Sequence, residues 1–406
     1  MPYLRQSSAK IERRADKLDL KRLSIAAAAL LLLAAVSAYP QTKKFEPNPE
    51  AGPGPIIVHS KFGGQIYGFD IDQNGTEGVL TEAKIQSNGN VLAAVETFDQ
   101  GTGKILDVVA STDTQDDYIT MGVVGASVGL IEREHEISFL HLKRIFQTIN
   151  PLSGNKFNGM WTPPIGSQHI IMPDGVSHNQ GTTDVGVFAY DNSGAFQPWV
   201  FESNVAANTF GPVVKIKDSN NFGSVPPPIA FDSVTNQIIM GGGNGCFGCL
   251  PVFGFVDAVN GTFSEAEGVG FGFINGIAVD SADGIYCTTT EDDATVEFYN
   301  LSTKTAFGEV LLPGSGGQQF FSGADVEFDP VNKVFLVAQP ESSSAGSGSS
   351  IYVYDTQGNL QETLNGFSFS NAFNVVPMYI AIKPSTRTGF VNGPSSGVTE
   401  LQSFTY

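Results

Sequence analysis

The sequence is poor in positive charge: 22 lysines and arginines stand against 41 aspartates and glutamates in 406 residues, a formal net charge of −19. Residues 1–38 contribute seven basic and three acidic side chains, so the remainder of the chain carries −23. Only Arg133, Arg144 and Arg387 follow residue 38. Nucleic acids and anionic lipid headgroups are bound through lysine and arginine, so we predict that the folded part binds neither.

Cysteine is also scarce, with three residues in the chain. Cys246 and Cys249 form the only C-x-x-C motif, and Leu250 stands where haem attachment would need a histidine. A structural zinc site would need a second pair of ligands, and none is evident. In an exported chain the default is a disulfide, so we predict a bond between Cys246 and Cys249 and a free, buried Cys287.

The first 55 residues have the composition of export and linker segments. Residues 23–38 are an apolar run behind a basic region, and Val36 and Ala38 are the small residues that precede a signal-peptidase cut. Sixteen residues is short for a membrane anchor, which needs about 20. We therefore predict a cleaved signal peptide over residues 1–38 and a Pro/Gly-rich linker over residues 39–55. The mature protein would have no membrane span and would be secreted, periplasmic or on the cell surface.

What the chain does contain is a repeated pair of strands. Residues 277–290 read as a short alternating strand, an Asp-Gly turn and a second strand rich in β-formers. The pattern recurs from Ile229, Val326 and Ile380, at spacings of 48, 49 and 54 residues. A hairpin that repeats every 40–50 residues or so is typical of a propeller blade. The sequence therefore predicts an all-β fold.

We expect this fold to be a β-propeller over residues 56–406, most simply with seven four-stranded blades. Counts of six or eight remain compatible with the irregular spacing. The first unit resembles the last three strands of a blade and the last unit the first three. Pairing of the two ends would close the ring and leave no unpaired sheet edge there.

The candidate catalytic residues lie in the densest charged stretch, the run E-R-E-H-E that starts at Glu132. A histidine flanked by carboxylates can have its pKa raised and serve as an acid or base. The run lies within residues 117–149, which fit the repeat poorly, as elongated strands or an insertion. We predict His135, Glu132 and Arg133 as the catalytic residues of an enzyme. The alternative is a salt-bridged turn or strand edge.

Asn275 and Asp325 are the candidate ligand-binding residues. Each stands where a unit's first strand begins, and the first strands of a propeller line its central channel. Polar groups that converge in a concavity form binding sites. The alternative is local: an Asn-Gly turn, and an aspartate that caps free backbone N–H groups.

No cofactor or metal site is predicted, although calcium remains an option. The fragment that starts at Asp70 spells D-x-D-x-N-G, the first half of a calcium loop, but Thr81 stands where the loop needs glutamate. Asn-Gly between two strands favours a simple turn. Three N-x-S/T sequons, at Asn74, Asn260 and Asn300, would matter in a eukaryotic host.

Several segments of the sequence also resemble those of a known family. Residues 65–70, 78–82 and 95–99 are similar to the lactonase-type seven-bladed propellers, in particular to exported proteins labelled 3-carboxymuconate-cyclase-like. Residues 275–286 resemble the NHL and gluconolactonase-type repeat. The resemblance implies lactone chemistry without a redox cofactor, either ring closure onto an alkene or hydrolysis of a sugar lactone. In cyclising members a His and a Glu act as acid and base, and His135 with a neighbouring glutamate is the pairing that fits.

The sequence thus predicts an exported, monomeric propeller of lactonase-like type that binds a small ligand or an extracellular macromolecule at its channel face. Two alternatives stay open. One is an enzyme that forms or hydrolyses a lactone, and the other is a surface adhesin or scaffold.

Overall fold

The computed structural model describes the chain from Phe45 onward, and Phe45–Tyr406 form one unit. The predicted signal peptide and the start of the predicted linker lie outside the described residues. These are 45–85, 87, 91–110, 116–124, 128–138, 141–150, 156–161, 171–178, 184–191, 197–204, 209–216, 222, 228–243, 250–269, 272, 274–290, 295–312, 325–339, 350–367, 379–395 and 398–406.

Strands account for most of the described residues. In chain order they are β1 (Gly52–His59), β2 (Gln65–Ile71), β3 (Glu77–Ile85), β4 (Val91–Asp99), β5 (Ile105–Ala110), β6 (Asp116–Val124), β7 (Val128–Ser138), β8 (His141–Asn150), β9 (Lys156–Trp161), β10 (Ile171–His178), β11 (Asp184–Asp191), β12 (Gln197–Asn204), β13 (Thr209–Phe210), β14 (Val214–Lys215), β15 (Ile229–Asp232), β16 (Gln237–Gly242), β17 (Val252–Asp257), β18 (Thr262–Glu267), β19 (Ile274–Asp280), β20 (Ile285–Thr290), β21 (Thr295–Asn300), β22 (Thr305–Leu311), β23 (Asp325–Asp329), β24 (Val334–Gln339), β25 (Ser350–Asp355), β26 (Leu360–Asn365), β27 (Ile380–Lys383), β28 (Thr388–Ser395) and β29 (Val398–Thr405).

Within the described ranges these strands form seven antiparallel sheets. We number them in the order β2, β6, β10, β15, β19, β23 and β27, and call these the first strands of their sheets. Five sheets hold four consecutive strands each: β2–β5, β6–β9, β15–β18, β19–β22 and β23–β26. The third sheet has five strands, β10–β14, with β13 and β14 both paired to β12. The seventh sheet has the order β1-β29-β28-β27, so it combines strands from both ends of the described chain.

The seven sheets are arranged in a ring. The first strand of each sheet contacts the first strand of the next, in a closed cycle through β2, β6, β10, β15, β19, β23 and β27 and back to β2. Radial repetition of four-stranded antiparallel sheets defines a β-propeller. The predicted all-β propeller is therefore confirmed.

Burial follows the position of a strand within its sheet. The second strand of the sixth sheet, β24, is buried along its whole length. The outer strand of the fifth sheet, β22, alternates exposed and half-buried residues. Middle strands have neighbouring sheets on both faces and so read as apolar runs, whereas outer strands have one face in solvent.

Aromatic side chains pack between the fourth and fifth sheets. The ring centroid of Phe253 lies 5.2 Å from that of Tyr286 and 4.9 Å from that of Tyr299, and the two tyrosines stack at 4.7 Å. All three side chains are fully buried. Edge-to-face and stacked pairs of this kind stabilise an interface by more than the apolar area that they bury.

In the fourth, fifth and sixth sheets, the turn between the first and second strands is fixed by an aspartate that ends the first strand. Asp280 accepts hydrogen bonds from the backbone N–H of Ala282 and Asp283, at 3.2 and 3.3 Å. Lys333 of the next sheet donates to both Asp280 oxygens, at 2.9 and 3.1 Å. Gly284 closes the turn with φ +65°, a conformation that suits glycine. The repeated Asp therefore caps a turn and, in the fifth sheet, ties two sheets together.

Strand β1 closes the ring by pairing with β29, from Gly52 opposite Thr405 to His59 opposite Glu400. The strand begins four residues before the predicted start of the propeller at residue 56. Residues 53 and 55 are prolines, which cannot donate a ladder hydrogen bond. They are tolerated because β1 is the outer edge of its sheet, and a bulge lies between Pro53 and Ile57.

This closure corrects the unit boundaries read from the sequence. Residues 56–85 do not make one unit, because β1 belongs to the seventh sheet and the first sheet runs from Gln65 to Ala110. The described parts of residues 117–149 are elongated strands, with β6, β7 and β8 of nine, eleven and ten residues.

Candidate functional site

The antiparallel connections divide the ring into two faces. One face, which we call the turn face, is where first and third strands end and second and fourth strands begin. The other, which we call the loop face, is where first and third strands begin and second strands end. First strands begin at the loop face, so Asn275 and Asp325 lie there, on neighbouring sheets.

Asp325 is the first residue of β23, and its carboxylate bridges two sheets. Oδ2 accepts a hydrogen bond from the backbone N–H of Ile380 in β27, at 3.1 Å, and Oδ1 accepts one from Val326, at 2.9 Å. Burial raises the Asp325 pKa to about 7, although both hydrogen bonds oppose the shift. The Asp325 side chain therefore caps backbone N–H groups, as expected from the alternative to ligand binding. It does so at the start of a first strand, the position for which ligand binding is predicted.

Two further carboxyl groups on first strands belong with Asp325, and together we call Asp70, Asp325 and Glu327 the channel carboxyl cluster. Burial, then the charges of Asp325 and Asp70, raise the Glu327 pKa well above its usual value. Glu327 is half-buried and Asp70 is buried. Burial and the charge of Asp325 also raise the pKa of Tyr379, which directly precedes β27. The electrostatics of these groups are thus coupled across the sixth, seventh and first sheets.

The sequence analysis missed Glu327, although the repeat contains a signal for it. When the first strands are aligned on their final residues, Ala230, Ala278 and Ala381 occupy the position of Glu327. In the first sheet, Asp70 stands two residues before the turn aspartate Asp72, just as Glu327 stands two residues before Asp329. A carboxyl group where other repeats have alanine is a local departure of the kind that accumulates at functional sites.

Asn275 lies at an irregularity of β19. Ile274 pairs with Thr290 and Gly276 with Thr289, so Asn275 is the extra residue of a bulge. Bulges are frequent beside binding sites because they redirect a side chain. Asn275 is half-buried.

The predicted catalytic residues lie on β7, the second strand of the second sheet. His135 pairs with Asp116 of β6 and with Lys143 of β8. Glu132 and Arg133 lie on the same strand, and Glu132 pairs with Phe146. These residues are therefore in the sheet, one strand away from the channel, with His135 towards the loop-face end.

Cys246 and Cys249, the predicted disulfide pair, lie outside the described residues. Cys287 is free and buried, as predicted. Burial and the charge of Glu297 raise its thiol pKa, so it is not a candidate nucleophile. The calcium-like fragment is a turn, in which Asp72 accepts the backbone N–H of Asn74 at 2.8 Å. Among the described residues, no three His, Cys, Asp or Glu side chains are placed to hold a metal ion.

A buried glutamate in the fifth sheet forms a second polar cluster. Glu297 is fully buried on β21 and accepts hydrogen bonds from the hydroxyl groups of Tyr299 and Thr295, at 2.6 and 3.0 Å. Burial raises its pKa to about 7 against these hydrogen bonds. The sequence shows the charge of this residue but not its burial.

A related pair of glutamates holds the connection from β1 to β2. Ser60 Oγ and the backbone N–H of Gly64 donate to Glu82, at 2.5 and 2.7 Å, and the N–H of Phe62 donates to Glu96 at 2.9 Å. Both carboxyl groups are fully buried. Burial raises the pKa of Glu82 to about 7 and raises that of Glu96. The pair binds the loop that links the closing strand to the first sheet.

Comparison with known proteins identifies the fold and no family. No model of a known protein family matches the chain, and no curated protein matches its sequence. Within the described part of the chain, no helix is long and apolar enough to cross a membrane.

Solved structures of WD40 propellers are similar in shape. The RRP9 WD40 repeats match with a TM-score of 0.57 and 11% identity, over 87% of this chain and 99% of that one. The Neurospora crassa Pan2 WD40 domain matches with a TM-score of 0.57 and 10% identity, over 89% of this chain and 97% of that one. Chaetomium thermophilum Raptor matches with a TM-score of 0.60 and 10% identity, over 88% of this chain and 29% of that one. At this identity the likeness shows a β-propeller and nothing of its activity.

Proposed function

We propose that the chain is an exported, monomeric propeller of lactonase-like type that binds a ligand at the loop face of its channel. The observation that carries this proposal is the channel carboxyl cluster. Asp325 and Glu327 are carboxyl groups in half-buried positions, where burial disfavours their charged forms. Groups with such shifts in a concave region are candidates for binding.

The chemistry of the cluster favours a polyhydroxylated ligand over a polyanion. Carboxyl groups accept hydrogen bonds from hydroxyl groups and, when protonated, donate them. A net charge of −23 beyond residue 38 repels dicarboxylates such as muconate. We therefore take a sugar lactone as the ligand class, in line with the family resemblance.

Binding of a non-hydrolysable sugar lactone analogue, glucono-1,5-lactam, tests the proposal by calorimetry. We expect Asp325→Asn and Glu327→Gln each to weaken binding by about tenfold, the usual effect of losing one hydrogen bond. The matched control is Glu267→Gln, because Glu267 is exposed on the outer strand β18. Equal affinity in all four proteins would refute the assignment of the site.

A second candidate function, hydrolysis or formation of a lactone, is favoured by the register of β7. His135 lies opposite Asp116, which begins the first strand of its sheet just as Asp325 does. Histidine is the residue type best suited to take a proton from the water that attacks a lactone carbonyl. The ring C–O bond then breaks and the leaving alkoxide takes up the proton.

This alternative predicts that His135→Ala lowers lactone hydrolysis by about 100-fold or more, the range of general acid–base catalysis. The assay uses a panel of sugar and aliphatic lactones with and without calcium. His141→Ala, at the start of β8, serves as the control. Unchanged turnover in His135→Ala would remove this mechanism, and absence of both binding and turnover would favour an adhesin or scaffold.

A further inference from the structure

The three N-x-S/T sequons lie on one face of the propeller, although they belong to three parts of the sequence. Asn74 lies in the turn between β2 and β3, and Asn260 in the turn between β17 and β18. Asn300 ends β21 and begins the turn to β22. First-to-second and third-to-fourth turns all lie on the turn face, opposite Asn275 and Asp325.

Exposure separates two of the three sequons from the third. Asn74 and Asn260 are exposed, as are the threonines of their sequons, Thr76 and Thr262. Asn300 is half-buried, and its Oδ1 accepts hydrogen bonds from the backbone N–H groups of two following residues, both at 3.0 Å. Its side chain is part of the turn.

The hydrogen bonds at Asn260 leave room for a substituent. Its Nδ2 donates one hydrogen bond to Asp257 Oδ2, at 2.9 Å. An amide nitrogen carries two hydrogens, so replacement of one by a sugar retains the other for this bond. The turn at Asn260 can therefore persist in a modified chain.

We propose that Asn74 and Asn260 are N-glycosylation sites, and that the glycans cover the turn face and leave the loop face free for the ligand. The donor is an oligosaccharide carried on a lipid diphosphate. Asn Nδ2 bonds to C1 of the first sugar as the C1–O bond to the diphosphate breaks. The lipid diphosphate leaves with the electron pair, and Nδ2 gives up one proton. The inference rests on the proposed export, because the transfer takes place in the secretory pathway.

The experiment compares two versions of the full chain in a eukaryotic secretory host. One keeps residues 1–38, and the other has an established signal sequence in their place. We expect both secreted proteins to lose mass on treatment with peptide-N-glycosidase. Asn74→Gln and Asn260→Gln should each reduce this loss of mass by one glycan, and the double variant should lose no mass. Thr76→Ser preserves the sequon and is the matched control for Asn74→Gln.

The outcomes separate the two proposals. If only the version with the established signal is secreted and glycosylated, the export proposal fails and the sites stand. If that version is secreted but unaffected by the glycosidase, the glycosylation proposal is overturned. If the double variant still lost mass on glycosidase treatment, Asn300 would carry a glycan. The proposal that only the exposed sequons are modified would then be overturned.

Discussion

Tyr406→Ala is expected to destabilise the propeller by about 3–5 kcal/mol, the usual cost of emptying a large aromatic site in a core. Tyr406 is fully buried, its ring centroid lies 6.0 Å from that of Phe404, and the Arg387 guanidinium lies 5.6 Å from it. Its hydroxyl donates to Asp329 Oδ2 of the sixth sheet, at 2.8 Å. The side chain thus joins the closing sheet to its neighbour. Urea unfolding followed by circular dichroism measures the loss.

Tyr406→Phe is the matched control, because it removes the hydroxyl group and keeps the ring. Asp329 Oδ2 retains a hydrogen bond from Asn332 Nδ2, at 2.7 Å, so we expect a loss of only about 1 kcal/mol. If Tyr406→Ala were no less stable than Tyr406→Phe, ring packing at this site would not contribute to closure.

Glu297→Gln is expected to stabilise the protein at pH 8 by up to about 3 kcal/mol. The pKa of Glu297 is raised from 4.5 to about 7 in the folded state, and each unit corresponds to about 1.4 kcal/mol. A raised pKa means that the folded state holds the proton more tightly than the unfolded state. The stability contributed by this proton is complete below pH 4.5 and is lost as the pH rises through 7. Glutamine has nearly the same shape and carries no charge to bury.

Urea unfolding at several pH values between 4 and 8 tests this expectation. The slope of stability against pH should become shallower in Glu297→Gln but should not vanish, because the pKa values of Glu82 and Asp325 are also raised to about 7. Glu267→Gln is the control, because Glu267 is exposed on the outer strand β18 of the neighbouring sheet. Lower stability of Glu297→Gln at pH 8 would show that the hydroxyl donors stabilise the carboxylate more than burial disfavours it.

The parts of the fold that the sequence predicts are local. Residues 277–290 form β19 and β20 as expected, because an alternating pattern and an Asp-Gly turn act within a few residues. The first residues of β1 fall within the predicted linker, because their partner strand, β29, lies more than 300 residues away. Proline in a strand is acceptable only at an edge, and the sequence alone does not show that β1 is one.

The polar residues described above can likewise be separated into those that the sequence predicts and those that depend on distant parts of the chain. Asn275 and Asp325 could be chosen because they stand at strand entrances, a position that the repeat defines. Glu327 could have been chosen from its departure from alanine in the aligned repeats. The burial of Glu297 could not, because it depends on sheets that pack against it from both sides.

Pairing of β1 with β29 also constrains how the molecule can be made. Gly52 must find Thr405, so the seventh sheet stays incomplete until the last strand has left the ribosome. At about 5–20 residues per second, β1 waits on the order of tens of seconds with its edge unpaired. Loop closure over such a distance is slow and leaves intermediates prone to aggregation. Completion of the ring therefore depends on β29, and a ring that is open at β1 has to be protected from aggregation until that strand is available.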